Sequence, residues 1–220
     1  MRNFNRSDRR NEPRIFNFEE WEPKTKVGKL VKEKQITTIE EIFAMGKPIK
    51  EVEIVDALIP NLEDKVLKIS SVQRMTKNNR KQKYRTTAIV GDRNGHIGIG
   101  VGKNVEVRPS IETAVISAKK NIIPLNLGCG SWECSCGTKH TLPITVSAKR
   151  GGAEVLIKPA PRGVGIVAGE TVKAVLELAG IQDVWTFSRG STKSVFNTAL
   201  ATYSALKKVS SIKNVEALKH

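Results

Sequence analysis

Aromatic residues are scarce in this sequence, at 5% of its 220 positions, and cysteine and histidine occur three times each. Three histidines leave little material for acid–base chemistry, since His220 is the terminal residue and His140 sits beside the cysteines. His96 falls in a predicted strand, where a structural or ligand-facing role fits better than a catalytic one. Cys129, Cys134 and Cys136 lie within eight residues and cannot all pair in one chain, which excludes a disulfide scaffold. They are expected to be reduced, and either metal-binding or inert. Long apolar runs are absent too: no stretch of 18 apolar residues occurs. The N-terminal Met1–Arg14 has no apolar signal core, and the C-terminus carries no lipidation motif. A soluble, cytoplasmic protein without a membrane partner is expected.

Acidic residues are also in short supply, 22 against 37 basic ones, giving a net charge of +15. Such an excess opposes compaction by self-repulsion and calls for a polyanionic partner. The charge is unevenly spread. Lys65–Gly91 holds eight basic residues and no acidic one, and Val184–Val215 holds five with none acidic. A solvated surface normally mixes both signs, so one-sided stretches point to counter-charge supplied from outside.

Residues 1–34 are polar and weakly periodic, broken by Pro13 and Pro23, and read as an extended basic arm. Phe16, Phe18 and Trp21 are its candidate anchors. Thr38–Glu41 has a capping-box pattern and opens a short helix, and a second turn is expected around Val52–Ile59. A domain over 35–123 follows, with strands near Val66–Met75, Tyr84–Val90 and His96–Val101. Asn94-Gly95 is a short-hairpin signal between the last two. Glycine at alternate positions of the third strand predicts close approach of another backbone. A helix is expected from Pro109, with Ile111, Ala114, Val115, Ala118 and Ile122 as its apolar stripe. Residues 124–140 form a cysteine-rich connector. The second domain, 141–220, predicts strands at Leu142–Ala148 and Ala153–Ile157, a Gly-rich loop, a helix near 170–179, a strand near 182–187 and a helix near 192–208. The fold class is α+β.

Arg74, Lys77, Arg80, Lys81, Lys83 and Arg85 put six cations at the tip and flanks of one hairpin. A projecting hairpin carries such groups to several phosphates at once, and A-form RNA is read mainly by shape and backbone. Asn78 and Asn79 suit sugar hydroxyls. A second phosphate candidate is the loop Pro159–Gly165, where Gly163 and Gly165 amides form a nest beside Arg162. The rival reading there, a nucleotide-binding kinase, fails on spacing: Gly163, Gly165 and Gly169 exceed the dinucleotide fingerprint by one residue. The stretch ending Gly102-Lys103 has Ile97 where the Walker pattern needs glycine. The connector offers Cys129, Cys134, Cys136 and His140, a zinc-compatible donor set, though with four, one and three intervening residues it is not a common knuckle.

Several of these segments, in order, resemble the small-subunit ribosomal protein S-five family. They are Val72–Lys77, Gly91–Lys103, Glu106–Pro109, Ala118–Pro124, Pro159–Gly163 and Leu178–Asp183. The arm and the connector resemble archaeal members, although Lys139 stands where those usually have proline. The resemblance implies a double-stranded-RNA-binding-like first domain and an α/β second domain with a left-handed crossover. It implies a ribosomal place near the decoding centre and the messenger entry channel. Lys103 and Arg162 join the hairpin as expected RNA contacts. The implied partners are small-subunit ribosomal RNA, nearby messenger RNA and ribosomal proteins S-three, S-four and S-eight. A free-standing RNA-binding regulator is the other RNA-based reading.

Overall fold

The computed structural model describes residues 21–134 and 136–211. The expected anchors Phe16 and Phe18 lie outside this range. Part of the predicted arm is not extended. Lys26–Lys32 forms a helix, α1, whose Thr25 hydroxyl caps it by accepting from the Gly28 amide at 3.1 Å. Its seven residues are too few to display a periodic stripe in the sequence. Val27 and Val31 point inward, joining Trp21 and the buried isoleucines of α2 (Ile39–Ala44) and α3 (Glu53–Leu58) in a separate apolar cluster. Ile42 and Ile54 are fully enclosed there, each stabilising by about 2–3 kcal/mol relative to exposure. The capping box at Thr38 does not close reciprocally. Glu41 accepts from the Thr37 amide, and the Thr38 side chain makes no cap bond.

The first sheet runs β1 (Glu63–Met75), β2 (Arg80–Gly91), β3 (His96–Asn104) and β4 (Ile122–Pro124), all antiparallel neighbours in that order. Helix α4 (Val107–Lys120) ends before Ile122, which belongs to β4 rather than to the helical stripe. Strand alternation sorts β3 cleanly. Gly98, Gly100 and Gly102 face α4, and a Cβ on Gly100 would stand 2.1 Å from the Ala114 carbonyl oxygen. The helix therefore lies on bare sheet backbone, as the alternate glycines predict. Ser110 fixes the register, bonding Thr86 Oγ1 at 3.0 Å and donating to the Tyr84 carbonyl at 2.9 Å. The intervening Ile97 and Ile99, with Ile89 of β2, face the other way into the main core.

That core is shared with the second half of the chain. β5 (Val146–Arg150), β6 (Ala153–Pro159), β7 (Ile166–Val167) and β8 (Val184–Gly190) form a sheet in the order β5-β6-β8-β7. Among the described residues only β7 and β8 pair in parallel, joined through α5 (Glu170–Leu178), and the crossover implied by the resemblance falls on this unit. The expected strand from Leu142 starts instead at Val146; Leu142 is buried in the core outside any strand. Val146, Val155, Ile157 and Val184 pack with α5 and with Ala201, Ala205 and Leu206 of α6 (Val195–Ser210). The halves also meet by backbone. The Arg93 amide donates to the Leu178 carbonyl at 3.0 Å, and Gly91 and Gly180 leave no room there for a side chain.

Candidate nucleic-acid interface and metal centre

β1 and β2 are paired to the end of the hairpin, where Met75 faces Arg80 and the tip is Thr76–Asn79. The tip is tied by Thr76 and Asn79, whose backbones bond at 2.9 Å. Cross-strand partners share a face, so the register shows where each predicted cation points. Arg74 pairs with Lys81, Lys83 with Val72, Arg85 with Ser70 and with Lys103. Arg74, Lys81, Lys83, Arg85 and Lys103 thus line one face. Arg80 lies on the opposite face with Met75, and Lys77 sits in the tip. Among the described residues, Arg74, Lys77, Arg80, Lys81 and Lys83 make no ion pair, and all five are exposed. Arg85 differs. It is half-buried, with its guanidinium 4.6 Å over the Phe196 ring of α6, so it anchors the base of the row as well as extending it. The cationic face is the same one that carries Ile89 and Ile99 further down, so the hairpin continues past the core as a charged blade.

Arg162 is exposed in its loop, and no described contact joins it to the hairpin. The amides beside it are not open to a phosphate. Gly163 and Gly165 both donate to Asp183 Oδ1, at 3.0 and 2.8 Å. The nest is filled by a carboxylate of the same chain. Asp183 was legible only as part of a motif, since nothing local announces a partner twenty residues away. A basic surface that the sequence reading did not single out lies on β6 and β8. There Lys158 sits 5.4 Å over the Phe187 ring, opposite Trp185 in register, with Arg189 further along the same face opposite Glu154. The alternation Trp185, Phe187, Arg189 was its available signal.

The connector brings all four predicted ligands together. Cys129 Sγ and Cys136 Sγ stand 3.6 Å apart, Cys134 Sγ and His140 Nε2 3.7 Å, and all four donor atoms fall within 4.8 Å of one another. Tetrahedral zinc with bonds of about 2.0–2.3 Å sets donor separations of roughly 3.3–3.8 Å, so the cluster fits such an ion with little adjustment. The three cysteines are free. Gly130 lets the strands of the loop close, because a Cβ there would be 2.1 Å from the Pro143 carbonyl oxygen. The thiols are unequal. The Thr138 hydroxyl, donating at 3.3 Å, and the Cys134 thiol bring Cys136 down to about 6, whereas burial and the Cys136 hydrogen bond push Cys129 up to about 11. Behind them, His140 Nδ1 donates to Asp183 Oδ2 at 2.8 Å, both side chains being buried. A carboxylate only accepts, so Nδ1 carries a ring proton, and in the neutral imidazole that a metal requires the Nε2 lone pair faces the thiols. Burial raises the Asp183 carboxyl, but the Gly165 amide, the His140 ring and the Gly163 amide together hold it below the ordinary range.

Two family descriptions match the chain: "Ribosomal protein S5, N-terminal domain" over residues 62–126 and "Ribosomal protein S5, C-terminal domain" over 148–219. A Methanocaldococcus jannaschii protein is 53% identical over 91% of this chain and 93% of its own length. The chain belongs to the ribosomal protein S5 family. Further similar proteins are those of Methanothrix thermoacetophila, 53% identical over 87% of this chain and 94% of their own, and of Aeropyrum pernix, 51% over 86% and 87%. All three carry the name "Small ribosomal subunit protein uS5". The family membership settles the fold class as α+β and places the chain among archaeal members. No helix among the described residues is long and apolar enough to cross a membrane.

Proposed function

We propose that this chain is a non-enzymatic structural constituent of the small subunit of the cytoplasmic ribosome, binding ribosomal RNA through the hairpin. The observation that carries the reading is the cationic face of β1–β3. Arg74, Lys81 and Lys83 are exposed, without acidic partners among the described residues, and aligned at strand spacing. Cross-strand neighbours lie about 5 Å apart and same-face residues along a strand about 7 Å. This is the scale of successive phosphates, and it suits backbone recognition rather than base reading. Lys77 and Arg80 extend the contact around the tip, Lys103 continues the row, and Arg162 adds a separate point of contact. The family resemblance adds the finer placement: near the decoding centre and the messenger entry channel, with ribosomal proteins S-three, S-four and S-eight as neighbours.

The test is sedimentation of the native protein with small subunits under increasing salt washes. An integral constituent stays with the particle after loosely held factors are stripped. Complete loss at moderate salt would replace this reading with the free-standing regulator.

The same reading assigns a structural zinc ion to Cys129, Cys134, Cys136 and His140. Four protein donors leave no position for water or substrate, so the ion would brace the connector and supply no catalysis. Three thiolates and a neutral imidazole around a divalent ion leave about one negative charge, beside the buried Asp183 carboxylate, and the neighbouring Lys139 offsets part of it. Metal analysis of protein purified without added zinc should find about one ion per chain, and none in a triple Cys→Ser variant. Parent protein that is metal-free yet docks normally would remove the site.

A further inference from the structure

Within the connector the hydrogen bonds do not stop at the ligands. His140 Nδ1 donates to Asp183 Oδ2 at 2.8 Å, and Asp183 Oδ1 accepts from the amides of Gly163 and Gly165. The His140 carbonyl in turn accepts from the Gln182 and Asp183 amides, at 3.0 and 3.3 Å. The Val184 amide donates to the Gly165 carbonyl at 3.1 Å, starting the parallel pairing of β7 with β8. The chain of contacts therefore runs from the donor cluster to the loop that carries Arg162, across forty-three residues between His140 and Asp183 and twenty between Asp183 and Gly163.

We propose that the Cys129–Cys134–Cys136–His140 centre controls the order of the Pro159–Gly165 loop through the His140–Asp183–Gly163/Gly165 relay, so that metal occupancy decides how firmly Arg162 is presented. This rests on the metal reading given above. Gly163 and Gly165 have φ of +93° and +73°, and a Gly-rich loop in such conformations loses much backbone freedom when it is ordered. Asp183 is what holds it, and Asp183 is itself buried, so its charge is tolerable only while its donors stay in place. One of those donors, the imidazole, is held from its far side by the ligand cluster. Once Nε2 is released, the ring can turn, Asp183 loses its third donor, and the two loop amides lose a fixed acceptor. Carboxylates behind ligating histidines typically alter metal affinity by about 10–100-fold. Coupling between two binding equilibria is reciprocal, so a bound ion should favour the closed loop by a similar factor. Arg162 is exposed and without an ion pair among the described residues. Ordering its loop lowers the entropy cost of placing its guanidinium on a phosphate.

Residue-resolved amide exchange on the full chain tests this, with zinc alone as the probe, before and after chelation. Gly163 and Gly165 should exchange about 10–100-fold faster after metal removal, while Val155 and Ile157 of β6 stay as protected as before. A His140→Cys variant keeps four donors but removes the imidazole. It should bind one zinc and show fast Gly163 and Gly165 exchange whether metal is present or not. Zinc-binding parent protein whose loop amides are indifferent to chelation would overturn the relay, as would a His140→Cys variant with metal-dependent protection equal to the parent. Parent protein that takes up no zinc overturns the relay as well, and the metal count itself shows that the failure began with the metal site.

Discussion

The β1–β2 hairpin and the cysteine connector each crowd polar groups into a short stretch, and they satisfy those groups in opposite ways. In the connector the donors and acceptors answer one another: thiol to thiol, Thr138 to Cys136, His140 to Asp183, Asp183 to two amides. In the hairpin, Arg74, Lys77, Arg80, Lys81 and Lys83 answer nothing among the described residues. A buried polar group must be paired within the chain or its desolvation goes uncompensated. An exposed one is satisfied by water and is free for a partner. Internal pairing marks the connector as architecture and its lack marks the hairpin as interface, although both are equally polar as sequence.

The largest effect should come from breaking the hairpin side of this contrast. Replacing Arg74, Lys77, Arg80, Lys81 and Lys83 with glutamine removes up to five phosphate-neutralising charges. Each phosphate left without its cation should flatten the slope of log affinity against log salt by about 0.7–0.9. Binding to small-subunit RNA at low salt should fall by a factor of ~1,000 or more, while the urea midpoint barely moves. Binding isotherms at four salt concentrations measure the slope. An unchanged slope would transfer the interface to another surface, with the Lys158–Phe187 face of the second sheet the first to test.

A second substitution probes the support under the blade. Gly100→Ala places a methyl 2.1 Å from the Ala114 carbonyl oxygen. The α4 helix must then lift off the sheet. Overpacking of this kind costs about 1–3 kcal/mol, and a clash with backbone rather than a movable side chain puts it at the upper end. Denaturant unfolding should report the destabilisation, and the salt slope of RNA binding should remain that of the parent. The triple Cys→Ser variant sharpens the comparison from the other side. It should loosen residues 128–140 and flatten the salt slope by no more than the single Arg162 contact, about 0.7–0.9, because the hairpin charges stay in place.

The legible and illegible parts of this fold divide by distance along the chain. Gly98, Gly100 and Gly102 announced close approach because three absent side chains at period two have few other causes, and α4 follows directly in sequence. The basic turn and Asn94-Gly95 were equally local. The four connector residues could be grouped because they span twelve positions. What escaped was settled by remote partners. Gly163 and Gly165 read as a phosphate nest until Asp183, on the far side of α5, is seen to occupy it. Lys26–Lys32 read as arm until α2 and α3 supply the surface that Val27 and Val31 bury against. Arg85 read as one more cation, yet Phe196, more than a hundred residues later, holds it in place. Propensity and spacing see neighbours in sequence. They cannot see which polar group has already been claimed by another part of the fold.

The smallest effect concerns a third polar cluster, built like the connector but without cysteines. Asp92 opens the β2–β3 turn, and its Oδ1 accepts from the amides of Asn94 and His96 at 2.8 and 3.0 Å, while Oδ2 accepts from His96 Nδ1 at 2.6 Å. Burial raises its carboxyl, but the His96 ring and the Asn94 amide outweigh that and leave it below the usual value of 3.8. A carboxyl depressed in the folded state stabilises fully above the unfolded value and loses that contribution as pH falls through the folded one. Asp92→Asn keeps an oxygen for the amides but offers an NH₂ where His96 needs an acceptor. The cost should be about 1 kcal/mol, the scale of one hydrogen bond. Urea unfolding of parent and variant at about pH 5 should therefore show this gap in full. The gap should then shrink below about pH 4, where the unfolded carboxyl takes up its proton first. A gap that widened in acid would mean that Asp92 is strained rather than satisfied by its partners, and the turn would no longer belong with the connector as self-paired architecture.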